Sequence, residues 1–329
     1  MSDNLAFTKA DTFSVAPMID VTTSAFRRMC RIMSKRAMLY TEMVAAEAIL
    51  HGKLNLLSHD EKEIPCVLQL GGSDPERLAM AAKIGEEQGY SAINLNAGCP
   101  SDKVQSGEFG AVLMKNPQLI ADAYQKMQNA VKIPVTIKTR IGVDDLDDFD
   151  YTVKIVKTIY DAGCRHIVLH ARKAWLNGLS PKENRTIPPL DYERVYQIKE
   201  LFCDLAITIN GGIITLDDCL SHLTKVNGVM LGRAVIDNPY LLSSVDRVIY
   251  KEDVQDKSRK QVLDEIVDLC ENFLSEGHKF HHLAQHALNL FAGCKGSRCY
   301  RQYLSATMHK KDAKPELLLE AYKLMQDVV

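Results

Sequence analysis

Several features are missing from this sequence, and each absence excludes a class of protein. The nine cysteines are scattered and form no Cys-x-x-Cys pair, which excludes a disulfide framework and suits a reducing compartment. No apolar run approaches the length of a membrane span. The stretch from Met1 to Lys9 lacks the charged and apolar regions of a signal peptide. We therefore expect a cytoplasmic protein with no membrane partner.

Complete sets of metal ligands are also missing. Cys294 and Cys299 have no second cysteine pair with which to build a zinc site. His278, His282 and His286 follow one another at helical spacing, but no carboxylate or cysteine completes that set. The sequence therefore predicts no metal site.

A strong excess of charge of one sign is absent from the whole chain but present in one segment. The net charge is −2, from 40 basic and 42 acidic residues. Residues 278–315 carry seven basic residues against one acid, a local charge of +6. Arg298 and Arg301 lie three residues apart on a predicted helix and share a face, which suits phosphate contacts. Such a stripe is more often a solvated helix face, so this pattern alone decides nothing.

Short apolar runs alternate with amphipathic segments of helical length over most of the chain. The predicted strands are Phe13–Ala16, Met38–Thr41, Cys66–Leu70, Ala92–Asn96, Val135–Thr139, His166–His170, Ala206–Asn210 and Gly228–Leu231. The predicted helices between them include Pro75–Gln88, Pro117–Val131, Asp148–Asp161, Tyr192–Phe202 and Leu216–Leu223. This order predicts an α/β fold, a closed (β/α)8 TIM barrel. An open doubly wound sheet lacks support because no Gly-x-Gly-x-x-Gly follows the first strand.

The alternation stops after about residue 245, and the rest of the chain has a helical pattern throughout. We expect a catalytic barrel domain over residues 1–245 and an all-helical domain over residues 246–329.

Glycine loops follow the last two predicted strands. Asn210-Gly211-Gly212 follows the seventh strand, and Gly232-Arg233 follows the eighth. Many barrels hold a phosphate at this place with backbone N–H groups and a helix N-terminus. Arg233 would add a charge-assisted hydrogen bond. One Gly-Gly turn is more often a simple tight loop, but two loops after neighbouring strands favour a phosphate site.

Polar residues at other strand ends indicate a flat, phosphorylated cofactor, and FMN fits them best. Gln69 can both donate and accept at the pyrimidine edge of a flavin. Lys138 can bring a positive charge near the flavin N1 and C2 carbonyl, where reduced flavin is negative. His170 can contact either the ring edge or the phosphate. Pro17 and Met18 end the first strand and are expected in the same pocket.

The pentad Asn96-Ala97-Gly98-Cys99-Pro100 ends the fourth predicted strand. Gly98 permits a tight turn and Pro100 stops the strand, so Cys99 projects where barrel enzymes keep their chemistry. An isolated cysteine is more often buried and structural. The surrounding motif favours a catalytic thiol instead.

These motifs together resemble the tRNA-dihydrouridine synthases, over nearly the whole chain. The resemblance rests on segments 16–18, 39–43, 69–73, 94–101, 137–140 and 170–172. The stretch from His170 to Arg185 resembles the A-type subfamily, whose members act on positions 20 and 20a of the tRNA D-loop.

The resemblance implies an enzyme that reduces the C5–C6 double bond of uridine in tRNA. In that reaction NADPH reduces bound FMN, the reduced flavin passes a hydride to C6, and Cys99 gives a proton to C5. An ordinary thiol has a pKa of about 8.5, is mostly protonated near neutral pH, and can act as an acid. The resemblance assigns the uracil edge to Asn96.

The expected tRNA contacts follow from the same resemblance. Glu183, Arg185 and Thr186 match the subfamily's tRNA-binding signature, and the stripe of Arg298 and Arg301 becomes an RNA contact. The target base must leave its stack to reach the flavin pocket. We expect tRNA and NADPH as partners, no DNA, and a monomer.

Two other functions are open at this point. A flavin barrel acting on a free pyrimidine, as dihydroorotate dehydrogenases do, would leave the basic helical segment without a purpose. A non-catalytic RNA-binding protein would leave Cys99, Lys138 and the glycine loops unexplained.

Overall fold

Eight parallel strands form the centre of the protein in a computed structural model that describes residues 7–52, 54–101, 107 and 109–326. The strands are β1 (Phe13–Val15), β2 (Leu39–Ala45), β3 (Cys66–Gly71), β4 (Ala92–Ala97), β5 (Val135–Arg140), β6 (His166–His170), β7 (Ala206–Asn210) and β8 (Gly228–Leu231). Their order is β1-β8-β7-β6-β5-β4-β3-β2. Backbone hydrogen bonds of 2.9 and 3.0 Å join Met38, just before β2, to Val15 and Phe13 of β1. The two ends of the sheet therefore meet, and the predicted barrel is confirmed.

Helices alternate with the strands and then continue alone toward the C-terminus. In the described part of the chain the α-helices are α1 (Ser24–Met33), α2 (Ala46–Leu50), α3 (Pro75–Glu87), α4 (Pro117–Ala130), α5 (Phe149–Asp161), α6 (Tyr192–Leu201), α7 (Leu216–Leu223), α8 (Arg233–Asp237), α9 (Val245–Val248), α10 (Arg259–Ser275), α11 (Phe280–Ala287), α12 (Ser297–Thr307) and α13 (Glu316–Gln326). None of the described helices is both long and apolar enough to cross a membrane.

The helix ends agree with local signals in the sequence. The Asp74 side chain accepts hydrogen bonds from backbone N–H groups at the start of α3, and Pro75 is the first helical residue. Asn116 caps α4 and Asp148 caps α5 in the same way. Each of the five helices predicted with explicit bounds is within one residue of the observed helix at either end.

The second strand is longer than predicted. The sequence predicts Met38–Thr41, whereas β2 runs to Ala45, and its register against β3 shifts between Tyr40 and Met43. A shift of this kind marks a bulge, which re-aims side chains at the rim of a barrel. Glu42, which directly follows the predicted strand, therefore lies inside β2, because its polar side chain interrupts the apolar pattern without ending the strand.

The C-terminal helices pack against the barrel through α1. Arg28 of α1 donates two hydrogen bonds, of 2.7 and 3.0 Å, to the Glu276 carboxylate just after α10, and its guanidinium lies over the Phe273 ring. Further from the site, the Tyr250 hydroxyl donates to the Phe13 carbonyl at 3.0 Å and accepts from the Phe13 N–H at 3.2 Å. The chain around residue 250 is thus fixed on β1. The division at residue 245 stays a prediction.

Candidate functional site

A cavity of about 700 Å³ opens at the carboxyl ends of the barrel strands. Most of the candidate residues line it, namely Pro17, Met18, Gln69, Asn96, Cys99, Lys138, His170, Arg185, Asn210, Gly211, Gly212, Gly232 and Arg233. Glu183, Thr186, Arg298 and Arg301 are not among the lining residues. The cavity therefore brings the proposed cofactor residues and Cys99 together, whereas the proposed tRNA contacts are spread more widely.

A chain of buried polar side chains crosses the barrel below the cavity. Gln69 of β3 donates to the Asn94 carbonyl oxygen at 2.8 Å, and Asn94 of β4 donates to the Thr136 hydroxyl of β5 at 2.9 Å. Asn96 donates to the Gln69 carbonyl oxygen at 2.9 Å. Alternate residues of a strand face the same side, so these groups all point into the barrel. The network fixes the orientation of the Gln69 amide at the cavity floor.

The Cys99 turn is held by the same Asn96 side chain. Its carbonyl oxygen accepts the backbone N–H of Gly98 at 3.1 Å and that of Cys99 at 3.0 Å. The Cys99 thiol donates to the Ser101 hydroxyl at 3.6 Å. A Cβ atom at Gly98 would lie 3.3 Å from the Thr139 backbone, closer than most side chains tolerate. Glycine therefore avoids a tight contact in this turn, and the turn presents the thiol to the cavity.

Arg140 ends β5 together with Lys138 but is not among the predicted site residues. It is almost fully buried, and its guanidinium donates to the carbonyls of Gly98 at 2.9 Å, Lys173 at 3.0 Å and Asn184 at 3.1 Å. It thus ties the Cys99 turn to the long loop after β6. Its position two residues after Lys138 was the available signal, because residues two apart on a strand share a face.

Lys138 lies in an unusual electrostatic environment. Burial, and secondly the positive charge of Arg140, lowers the pKa of Lys138 from 10.5 to about 7. Its ammonium donates to the Asn210 carbonyl oxygen at 3.1 Å, and Asn210 in turn donates to the Met230 carbonyl at 2.8 Å. The side chain is therefore oriented at the cavity floor but lacks a carboxylate partner among the described residues.

The glycine loop after β7 packs directly on His170. Gly211 has φ of 113°, and a Cβ atom there would lie 2.6 Å from His170 Cδ2. Gly212 has φ of 71°, and its Cβ would lie 2.5 Å from Leu190 Cδ1. Both positions thus require glycine for conformation and for space. Burial, followed by the surrounding positive charges, lowers the pKa of His170 well below its usual range, so the ring is neutral near pH 7.

The cavity mouth is strongly basic. Arg185 and Arg233 lie on its rim, and Arg233 donates to the Arg185 carbonyl at 3.1 Å. Of the described residues that line the cavity, Asp237 alone is acidic. Such a mouth attracts anions such as phosphate esters and RNA.

The loop after β6 is organised by a buried asparagine that the sequence analysis also missed. The Asn184 side chain accepts the Trp175 N–H at 2.8 Å and donates to the carbonyls of Trp175 and Leu179. Glu183 accepts the Ser180 N–H at 2.8 Å, and hydrogen bonding with the Ser180 side chain, followed by that with the Ser180 backbone, lowers the pKa of Glu183. Glu183 and Thr186 are therefore exposed on a structured loop beside the cavity.

Arg298 and Arg301 both lie on α12, where both side chains are exposed. No ion pair to another described residue involves either of them. The histidine series does not converge on one point, since His286 packs on Phe26 and His278 stacks on Phe273.

Comparison with known proteins gives a consistent result. A family described as dihydrouridine synthase matches residues 14–326. Among similar proteins, the tRNA-dihydrouridine(20/20a) synthase of Shewanella oneidensis is 47% identical over 96% of this chain and 94% of its own length. The proteins of the same name from Salmonella typhi and Pasteurella multocida are 49% and 48% identical, over 96% and 94% of this chain and 95% and 94% of their own lengths.

Proposed function

Because this chain belongs to the dihydrouridine synthase family, we propose that it reduces uridines 20 and 20a of the tRNA D-loop to dihydrouridine. The observation that carries the proposal is the position of Cys99 at the mouth of a basic cavity, on a turn fixed by Asn96 and Arg140. A free pyrimidine would not require the basic rim and the exposed arginines of α12.

The cavity fits FMN as the cofactor of a flavin-dependent family. At Gly211 and Gly212 no side chain covers the backbone, and a Cβ atom would fill the space beside it. This exposed backbone, together with Gly232 and Arg233, supports a phosphate-binding site. Gln69, Lys138, His170, Pro17 and Met18 would contact the flavin ring, the first two through polar atoms at the cavity floor. When bound, FMN supplies in its reduced form the hydride that uracil C6 receives, and NADPH reduces the flavin again.

Cys99 would complete the reduction by giving its thiol proton to C5. The hydride at C6 and the proton at C5 together saturate the double bond, and the sulfur is left as a thiolate. The positive charges of Lys138 and Arg140 lie near Cys99 and stabilise that product. Among the described residues, the Asn96 amide group donates only to Gln69, and we propose that its other N–H bonds the uracil edge.

Exposed residues at the cavity rim and outside the cavity would bind the rest of the tRNA. Glu183, Arg185 and Thr186 lie on the loop after β6, and Arg298 and Arg301 lie on α12. We propose that residues 1–245 carry the chemistry and residues 246–329 bind tRNA, in a cytoplasmic monomer.

The test is Cys99→Ala, with the exposed Cys203→Ala as the matched control. Flavin bleaching by NADPH should survive in both variants, whereas dihydrouridine formation in unmodified tRNA should fall at least a hundredfold in Cys99→Ala only. Equal loss of both steps in Cys99→Ala would contradict the proton-donor role. A purified protein that neither contains nor binds flavin would contradict the proposed reaction.

A further inference from the structure

A second cavity, of about 580 Å³, lies directly beside the first. The two cavities share Ile19 and Met43 as lining residues, so the partition between them is about one side chain thick. One wall of the second cavity comes from the barrel, through α1, β2 and residues 55–60. The other wall is formed by Phe273, Glu276 and His278, at and after the end of α10. The cavity therefore lies between the Cys99 site and the C-terminal helices.

The partition is held rigidly. Asp20, directly after Ile19, has φ of 61°, which a residue other than glycine rarely adopts. Its backbone N–H donates to Glu42 Oε1 at 2.5 Å, so the β2 bulge that re-aims Glu42 braces this turn. Half of the Ile19 side chain is exposed as a result. A fixed, exposed apolar residue between two cavities is suited to separating two flat groups.

The charges of the second cavity differ from those of the first. Its two arginines are already paired, Arg27 with Glu63 at 2.6 Å and Arg28 with Glu276 at 2.7 Å. Glu42 and Asp60 add further carboxylates to the wall. Among the described residues, the second oxygen of Glu42 has no hydrogen-bond donor. The described residues that line this cavity thus offer acceptors and no unpaired lysine or arginine, which disfavours a phosphate and favours a neutral group with N–H donors.

The remaining surfaces are flat or apolar. Leu56 is 47% exposed at the cavity. The His59 ring stacks on Tyr90 at 4.3 Å, and the His278 ring stacks on Phe273 at 4.1 Å, so both imidazoles are held in fixed planes. Fixed rings and exposed aliphatic side chains are the surfaces on which unstacked bases rest.

We infer that this second cavity receives the base of the nucleotide next to the uridine being reduced, in the same RNA strand. The inference rests on the proposed function. Extrusion of one base removes a stacking partner from its neighbour, at a cost of a few kcal/mol. A neighbouring cavity that holds the second base offsets that loss, and a neutral base with N–H groups matches the Glu42 acceptor. Because both arginines of the second cavity are paired with carboxylates, the sugar-phosphate chain would instead be bound at the basic mouth of the first cavity.

The test uses tRNAs with a single target uridine and an abasic nucleotide immediately 5′ or 3′ of it. Stacking of one base contributes about 1–3 kcal/mol, so one of the two abasic tRNAs should show a KM about tenfold higher than intact tRNA. Leu56→Trp, which narrows the cavity, should raise the KM of intact tRNA similarly and add nothing with the abasic tRNA. Leu201→Trp is the control, because Leu201 is also exposed, 58% against 47% for Leu56, and lies on α6 outside the lining of both cavities.

The outcomes separate this inference from the proposed function. If wild-type protein forms no dihydrouridine in any tRNA, the proposed function fails. If wild-type protein reduces intact and both abasic tRNAs with equal KM, the second cavity does not hold a base. A raised KM for NADPH in Leu56→Trp, with the tRNA KM unchanged, would assign the cavity to the reductant and overturn the inference. Glu42→Gln, which keeps an acceptor for the Asp20 N–H, is a second variant for the case that Leu56→Trp fails to fold. It should reduce the KM difference between intact and abasic tRNA.

Discussion

Lys138→Met should change how the stability of the flavin-free protein depends on pH. The pKa of Lys138 is about 7 in the folded protein and 10.5 for an ordinary lysine. Above pH 10.5 the amine is neutral in both states. As the pH falls from 10.5 to 7, the unfolded chain takes up a proton that the folded protein does not, so stability is lost over this window.

The size of the effect follows from the difference of about 3.5 pKa units. At 1.36 kcal/mol per unit, the folded protein loses about 5 kcal/mol in total, of which about 2 kcal/mol falls between pH 9 and pH 7. The ammonium faces an open cavity, so solvent screening makes this an upper figure. Methionine lacks the charge, so the free energy of unfolding of Lys138→Met should not contain this pH-dependent loss.

The assay is urea unfolding of wild type and Lys138→Met at several pH values from 7 to 9. The difference in unfolding free energy, wild type minus variant, should fall by up to about 2 kcal/mol from pH 9 to pH 7. Lys83→Met, at an exposed site on α3, should show no such trend. Bound FMN should shrink the trend, because an electronegative ring edge favours the charged lysine. A flat difference in the flavin-free protein would refute the reasoning, since Lys138 would then be solvated and ordinary.

Three further changes test the cavity and the RNA surface. Gly211→Ala forces a Cβ atom against His170 at a φ of 113°. Unfolding should show a loss of about 1–3 kcal/mol of stability, and absorbance should show that less flavin is retained. Arg140→Lys replaces the planar guanidinium, whose two nitrogens reach three carbonyls, by a single ammonium, and should lower kcat for tRNA more than the rate of flavin reduction by NADPH. Equal loss would mean a purely structural role. Arg298→Ala with Arg301→Ala should weaken tRNA binding and make its salt dependence shallower by about two units of slope, and an unchanged slope would move the RNA surface elsewhere.

The barrel could be predicted from the sequence because its determinants are local. Parallel strands buried on both faces read as continuous apolar runs, and segments such as His166–His170 and Ala206–Asn210 match the observed strands at both ends. Residues at strand ends then had to meet at one face of the barrel. This reasoning brought Lys138 and Asn210 together, and they are hydrogen-bonded at 3.1 Å.

The contacts that pass between loops could not be predicted in this way. Arg140 donates to carbonyls 33 and 44 residues further along the chain, and no residue near it in the sequence predicts those partners. Glu42 illustrates the opposite error, since a polar residue looked like a strand end although the strand continues through a bulge. Asn184 shows no signal at all, because a buried asparagine and an exposed one look the same in a sequence.

The cations around the cavity are held close together at a cost that an anionic ligand would reduce. Lys138 and Arg140 lie close enough that the charge of Arg140 lowers the pKa of Lys138, and Arg233 lowers the pKa of Arg185 after the larger effect of burial. Without a ligand, these groups repel one another in a poorly solvated site. A bound phosphate ester or RNA strand would supply the missing negative charge and stabilise the folded state by the same interactions. The site is therefore less stable empty than filled, which is the stability cost that preorganised catalytic sites commonly carry.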